Sequence, residues 1–369
     1  MCFFLAFIAS LSVFFPFLYA CKGEGQKQIM LLGSPVSYYV TDYGYTENSI
    51  KDRKISQSLY ELCERLNKTF STEEDSQISA YNTVIGQKSI KIDEDFYYLT
   101  TIFKELYSKT DGAVNPQVKL SVDLWGFSKR YKEPNYLPEK IFDRKRNEDG
   151  SFPLPEKEYI EGFKKLADFS KTVPEKKTVQ GDIQKTELYI HKSDLSVTID
   201  NQTYYSALDY SSAVKGYFCD EAKKIFARFG VKNYYISAGG SSMYLSENNA
   251  AEWNLKIINP FSASRDALIS LPISDKFVST SGTYENYYEL GGVRYSHIID
   301  PKTGCPAQSK IVSATVIGEN GAYTDALSTA LINLDDKAAD FMSGVPYDYV
   351  LITEDGKVLS SVYDRLTFL

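Results

Sequence analysis

Histidine is nearly missing from this chain: 369 residues hold two, His191 and His297. A metal centre built from several imidazoles is thereby excluded. An excess of positive charge is missing as well. The 41 Lys and Arg against 48 Asp and Glu leave a net charge of −7, without the basic footprint of a nucleic-acid binder. Cysteines number five, none in a CxxC pair. Apart from Cys2 and Cys21, only Cys63, Cys219 and Cys305 remain, odd in number and far apart, which supports neither a disulfide framework nor a zinc site; they are expected to be small core residues. There is no internal repeat, Gly/Ser linker or heptad run. What is present is ordinary globular material, 43% hydrophobic and 24% charged, with an unusual 29 tyrosines. That is enough for a sizeable core, in one large domain or two lobes.

One long uncharged run exists, Cys2 to Ala20. Its length approaches the ~20 residues of a membrane-crossing helix, so an uncleaved anchor is one reading. Pro16 and the small Ala20 before the break favour a signal peptide over residues 1–20, although a Lys/Arg n-region is lacking. Cys21 directly after Leu-Tyr-Ala resembles the lipobox of bacterial lipoproteins. The expectation is a lipid on Cys21, a polar tether over 21–35, and a body (36–369) working outside the cytoplasm, periplasmic or otherwise extracytoplasmic, anchored to a membrane.

Along the body, apolar spacing predicts a helix over 54–66 with Ile55, Leu59, Leu62, Cys63 and Leu66 on one face. A second is expected over 95–107, lined by Phe96, Leu99, Ile102, Phe103 and Leu106, and a short third over 156–169. A fourth, over 211–229, carries Val214, Tyr217, Phe218, Ala222, Ile225 and Phe229 and closes at Gly230. Strands are expected at 36–40, 187–191, 195–199, 234–237, 255–258, 268–273, 278–281, 311–317 and 349–352. Gly291-Gly292 reads as a two-residue hairpin. Between 129 and 157, 14 of 29 residues are charged and four prolines intervene, which predicts a surface excursion. Hairpins mixed with packed helices argue an α+β fold whose sheet is largely antiparallel.

Several segments carry chemistry. Thr324 suits an N-cap, which puts Asp325 in the first turn of a helix and Thr329 on the same face one turn on. A carboxylate and a hydroxyl there are hard oxygen donors that suit Mg²⁺ or Ca²⁺, or else belong to a helix that simply caps itself. His297 leaves a strand just before Asp-Pro-Lys-Thr-Gly304, a tight turn that can hold a functional side chain outward. It is a candidate general base, or a strand histidine bonded to backbone. His191 has no such setting and reads as structural. The Ala238–Ser242 and Thr280–Gly282 segments read as glycine-containing loops after strands, able to cradle phosphate. Lys215 stands in the first turns of a helix, where it could meet an anion.

In their order along the chain these segments resemble the ApbE-like family of flavin transferases. The resemblance starts near Leu32-Gly-Ser34 and passes through Phe70–Asn82, Thr110–Val118, Leu124–Phe127 and Asp209–Tyr217. It continues through Ala238–Gly240, Thr280–Gly282 and His297–Gly304 and ends with Thr324–Ala330. It implies an ApbE-like (T-fold-like) domain of mixed, largely antiparallel sheets packed with helices. It further implies a Mg²⁺-dependent enzyme that cleaves the FAD pyrophosphate, releases AMP and passes FMN to a Thr or Ser hydroxyl of an acceptor flavoprotein. Carried over by position, His297 is the base. Leu32, Ser71, Thr72, Ala113, Val114, Asn115, Asp209, Lys215 and Ile298 contact FAD, and Ser212, Asp325 and Thr329 hold the metal. The chain departs from the family pattern at Ser211-Ser212, where Gly-Gly is usual, and at Ser241 and Asn115, where Asp is usual. An FAD-binding lipoprotein or FAD pyrophosphatase without transfer is the alternative, and a generic binding lipoprotein without flavin a third. All rest on one spatial expectation: His297, Asp325 and the Lys215 segment share a cleft.

Overall fold

Tyr234 to Ala238 has no polar alternation, the pattern of a strand covered on both faces, and all five side chains are buried in the computed structural model. The structure describes residues 29–72, 75–86, 88–128, 153–179, 185–247 and 252–369. The expected signal peptide, Cys21, most of the tether and residues 129–152 of the charged excursion lie outside the described residues.

The main sheet has eight strands, numbered along the chain: β1 (Met30–Leu31), β2 (Ser34–Val40), β3 (Tyr234–Ala238), β4 (Ser242–Leu245), β5 (Lys276–Gly282), β6 (Ile311–Gly318), β7 (Asp348–Thr353) and β8 (Val358–Ser360). Their spatial order follows the chain and every neighbouring pair is antiparallel. Five helices, also numbered along the chain, pack near the site. Between β2 and β3 lie α1 (Ile50–Phe70), α2 (Gln77–Thr83), α3 (Glu94–Lys109) and α4 (Ser211–Arg228); between β6 and β7 lies α5 (Gly321–Leu334).

Alternation along the strands divides the core in two. Tyr234, Ile236, Phe277, Val316 and Leu351 face the helices, where the expected stripes of α1, α3 and α4 are buried apart from a half-buried Phe229. Tyr235, Leu245, Val278, Ile317, Val350 and Ile352 face a second layer, the hairpin of Trp253–Ile258 and Ala267–Ile273. Each large apolar side chain buried this way contributes ~1.5–3 kcal/mol relative to exposure. The α+β, antiparallel expectation holds, and the hairpin at Gly291-Gly292 joins Tyr287–Leu290 to Val293–Ser296. Cys63 and Cys219 are buried as expected. Cys305 is only half-buried, because it follows the surface turn that ends at Gly304.

Three local expectations need correcting. Thr324 does not cap α5: Asn320 does, its side chain accepting from the Tyr323 N–H. Asp325 thus sits in the second turn. Thr280–Gly282 is not a loop but the end of β5. The Ala238–Ser242 run is shorter as a loop than expected: Gly239 and Gly240, both at positive φ, turn the chain and Ser242 opens β4.

Helices α4 and α5 cross with their backbones almost touching. A Cβ on Gly216 would lie 1.9 Å from the Gly321 carbonyl oxygen, and one on Gly321 would lie 2.2 Å from that of Gly216. The crossing is braced in both directions. Asp220 on α4 accepts from the Gly321 and Ala322 N–H groups at 2.7 and 2.9 Å, and Asp325 on α5 accepts from the Gly216 N–H at 2.9 Å. Replacement of either glycine by alanine is therefore expected to cost about 3 kcal/mol or more, the upper range for overpacking. Gly344→Ala, whose Cβ meets nothing nearer than 3.6 Å, is the tolerated control. Urea denaturation of the three variants checks this.

Candidate functional site

The β3–β4 turn is where the site begins. Gly239 packs against the β1–β2 turn and α4: a Cβ there would lie 3.1 Å from Ser34 Cβ and 3.7 Å from Lys215 Cδ. The Gly239 N–H also donates to the Pro35 carbonyl. The Leu32–Ser34 turn and Lys215 are thus neighbours. Lys215 Nζ donates to Ser241 Oγ at 2.7 Å. One residue on, Ser242 Oγ donates to Asp325 Oδ1 at 3.0 Å, while Asp325 Oδ2 takes the Gly216 N–H. Further along β5, Ser281 Oγ lies 3.1 Å from the Thr329 hydroxyl and 2.7 Å from that of Ser328. Ser212 stands half-buried in the first turn of α4, and Asp209 Oδ1 accepts from the Ser211 N–H.

His297 is half-buried at the end of Val293–Ser296. Its main-chain N–H donates to the Asn286 carbonyl at 2.9 Å, and Nδ1 lies 3.2 Å from that same oxygen. A carbonyl can only accept, so this geometry assigns the proton to Nδ1 and leaves Nε2 as an acceptor. The ring packs edge-on to Phe127, with centroids 6.5 Å apart, at the end of an aromatic row that runs through Tyr288 and Tyr295 to Trp125. Trp125 Nε1 donates to the Gly304 carbonyl at 2.8 Å and so ties the row to the Asp300–Gly304 turn.

Burial lowers the His297 pKa from its ordinary value, and the Lys215 ammonium lowers it further. Burial raises the Asp325 carboxyl, against the pull of Lys215, the backbone N–H groups and Ser242. Lys215 is therefore within electrostatic reach of both. Hydrogen bonds through Ser242 and Gly216 join the Lys215 segment to the buried acid, and the Lys215 charge also acts on the imidazole. The donor set around Asp325 and Thr329 is all oxygen, and among the described residues no group of three or more His, Cys, Asp or Glu side chains converges as a metal site. One carboxylate with hydroxyls suits a hard cation that keeps water and phosphate oxygens as its other ligands.

The remaining expected residues stand around this centre less directly. The Leu32 N–H, at positive φ, donates to Asn67 Oδ1. Ser71 caps the C-terminus of α1, its carbonyl accepting from the Ser76 and Ser79 hydroxyls, and Thr72 follows half-buried. Ala113 and Val114 are buried, as is Ile298. Asn115 is spent on structure: Nδ2 donates to the Ala167 carbonyl and Oδ1 accepts from the Gln117 N–H. The Asp209 N–H nonetheless donates to the Pro116 carbonyl, and Asn82 brackets Leu208 through both its N–H and C=O. These bonds tie the 113–116 turn and α2 to the entry of α4. Asn333 was not singled out by the sequence, and Ser241 and Ser242 were noted only within the glycine-containing run, Ser241 also as a departure from the family pattern. Asn333 did have a signal, lying four residues beyond Thr329 and eight beyond Asp325 on one helical face.

The ApbE family model matches residues 32–348. Among curated relatives, the FAD:protein FMN transferase of Escherichia coli (strain K12) is 28% identical over 286 residues, 77% of this chain and 72% of that protein. That of Vibrio cholerae is 27% identical over 316 residues, 83% and 82% of the two chains. Among solved structures, an ApbE protein of Thermotoga maritima superposes with a TM-score of 0.67 at 23% identity, covering 92% of this chain and 97% of that one. The flavin transferase ApbE of Vibrio cholerae does so with the same score and identity, covering 90% and 95%. These two likenesses concern the fold.

Shared electrostatics give a direct check on the site. Lys215→Met removes the cation that depresses His297, so the imidazole pKa is expected to rise, as followed by NMR titration of the ring protons. An unchanged value would place Lys215 outside the site.

Proposed function

The chain belongs to the ApbE family, and from that premise we propose that it is an FAD:protein FMN transferase. The substrate is FAD, and the acceptor is a Thr or Ser hydroxyl of a flavoprotein. The acceptor oxygen bonds to the FMN phosphorus, the pyrophosphate P–O bond breaks, and AMP leaves with the bridging oxygen. The observation that carries this reading is His297: Nδ1 is engaged by Asn286 and Nε2 is free to take the hydroxyl proton. Burial and Lys215 keep that ring neutral near neutral pH.

Phosphoryl transfer asks a protein mainly for alignment and for charge facing the phosphate oxygens. Lys215 supplies fixed positive charge beside the Leu32–Ser34 and Gly239–Gly240 turns. Asp325, Thr329 and Ser212 are the groups that would hold Mg²⁺, which when bound supplies Lewis-acid stabilisation of the diphosphate. Leu32, Ser71, Thr72, Ala113–Asn115, Asp209 and Ile298 would line the rest of the FAD site. Support comes from the matching motif positions and from the bonds joining their segments. We further infer that residues 1–20 direct export and that Cys21 carries a lipid holding the domain at a membrane outside the cytoplasm, a reading supported by the uncharged run and the cysteine after it. Cys21→Ser is expected to release the protein from the membrane fraction.

Product analysis of FAD with Mg²⁺, with and without an acceptor flavoprotein, tests the chemistry. AMP together with a covalently flavinylated acceptor is expected; AMP alone in both cases means hydrolysis, and no AMP refutes the enzyme. His297→Ala should keep FAD binding and lose roughly 10²–10⁴-fold in turnover, the range for a general base. Asp325→Ala should abolish turnover. Because the base works neutral and its pKa lies below the ordinary histidine value, turnover should be level above that ordinary value and fall only as pH drops through the lowered one.

A further inference from the structure

Asn333 lies on the face of α5 that carries Asp325 and Thr329, one turn further on. Its Nδ2 donates to two carbonyls from distant parts of the chain, Ala113 at 2.9 Å and Ile299 at 3.1 Å. An amide nitrogen has two hydrogens, and both are used. Ala113 opens the turn proposed to contact FAD; Ile299 is two residues beyond His297. Each segment is anchored on its other side: the Pro116 carbonyl takes the Asp209 N–H, and the Ile298 carbonyl takes the Ala307 N–H. Between the two segments, Asn333 is a cross-tie.

The side chain carries a cost. Asn333 Oδ1 is buried and accepts no hydrogen bond, an arrangement that an aliphatic residue of similar size would avoid. Core packing alone therefore does not account for asparagine here, whereas two donors aimed at two carbonyls do.

We propose that Asn333 is a positioning residue that sets the distance between the Ala113–Asn115 turn and the His297 segment, and through it the affinity of the cleft for a flavin dinucleotide. This rests on the transferase reading. With the amide gone, each carbonyl loses a donor and the two walls are free to part. Asp325, Thr329 and His297 keep their own bonds.

The test uses Asn333→Leu, which removes both donors and the orphaned acceptor, and Asn333→Asp, which sets a carboxylate against two carbonyls. FAD affinity is read by flavin fluorescence well below the melting temperature, and AMP release is read separately. Asn333→Leu should weaken FAD binding roughly tenfold, the scale of two neutral hydrogen bonds, raising KM more than it lowers kcat, with little loss of thermal stability. Asn333→Asp should bind more weakly still. Wild-type affinity and KM in both variants would overturn the proposal, even if the melting temperature fell, since that is the mark of a merely structural role. A wild-type protein that binds FAD and releases no AMP would sink the transferase reading instead, and the comparison of affinities would still decide the role of Asn333.

Discussion

Two helices that touch at glycine hold this site together. With any side chain at Gly216 or Gly321, α4 and α5 would have to separate. Asp325 would then no longer reach the Gly216 N–H, nor Asp220 the start of α5. The exchange of carboxylates for backbone N–H groups is more than an angle constraint. It spends part of each acid on the neighbouring helix, so that Asp325 is held buried with one oxygen on α4 and the other on β4. Burial pushes Asp220 up to about 6 while the N–H groups it caps pull it down. The polar centre is thus fixed by backbone first and by side chains second, which suits chemistry that depends on alignment.

The elements with strong periodicity were legible in the sequence. The stripes of α1, α3 and α4 are buried as read except for Phe229, and β3, β5, β6 and β7 lie within a few residues of the expected bounds. What escaped was short or contextual. Ser89–Ile92 and Val173–Val179 pair with Lys185–His191, yet one is four residues long and the other carries Pro174 and several charges. The first-turn reading of Asp325 failed because the better cap, Asn320, stands four residues before Thr324 and a second cap comes from Asp220, 101 positions away. No local rule sees such a partner. In the site, the run holding Ser241 and Ser242 was marked, but their bonds to Lys215 and Asp325, on other elements, left no trace in a linear reading.

The departures from the family pattern acquire physical meaning at Ser241 and Asn115. An acid at 241 would form an ion pair with Lys215; serine instead accepts one hydrogen bond from it and brings no charge of its own. After burial, the Lys215 charge is also what lowers the His297 pKa. Asn115 donates to one carbonyl and accepts from one N–H. A carboxylate could do only the second. Ser211, exposed at the start of α4, offers its N–H to Asp209, a bond that requires no glycine.

A meander whose spatial order matches its sequence hides one very unequal step. Thr41 and Asn233, bonded where β2 meets β3, are 192 positions apart, whereas the other neighbours are joined by far shorter excursions. As the chain emerges from the ribosome, β2 is complete long before its partner exists. Closing so large a loop gains nothing until the intervening helices have condensed. Pairing of β2 with β3 is thus the sheet's longest-range closure, and the turn at Leu32–Ser34 beside Lys215 depends on it.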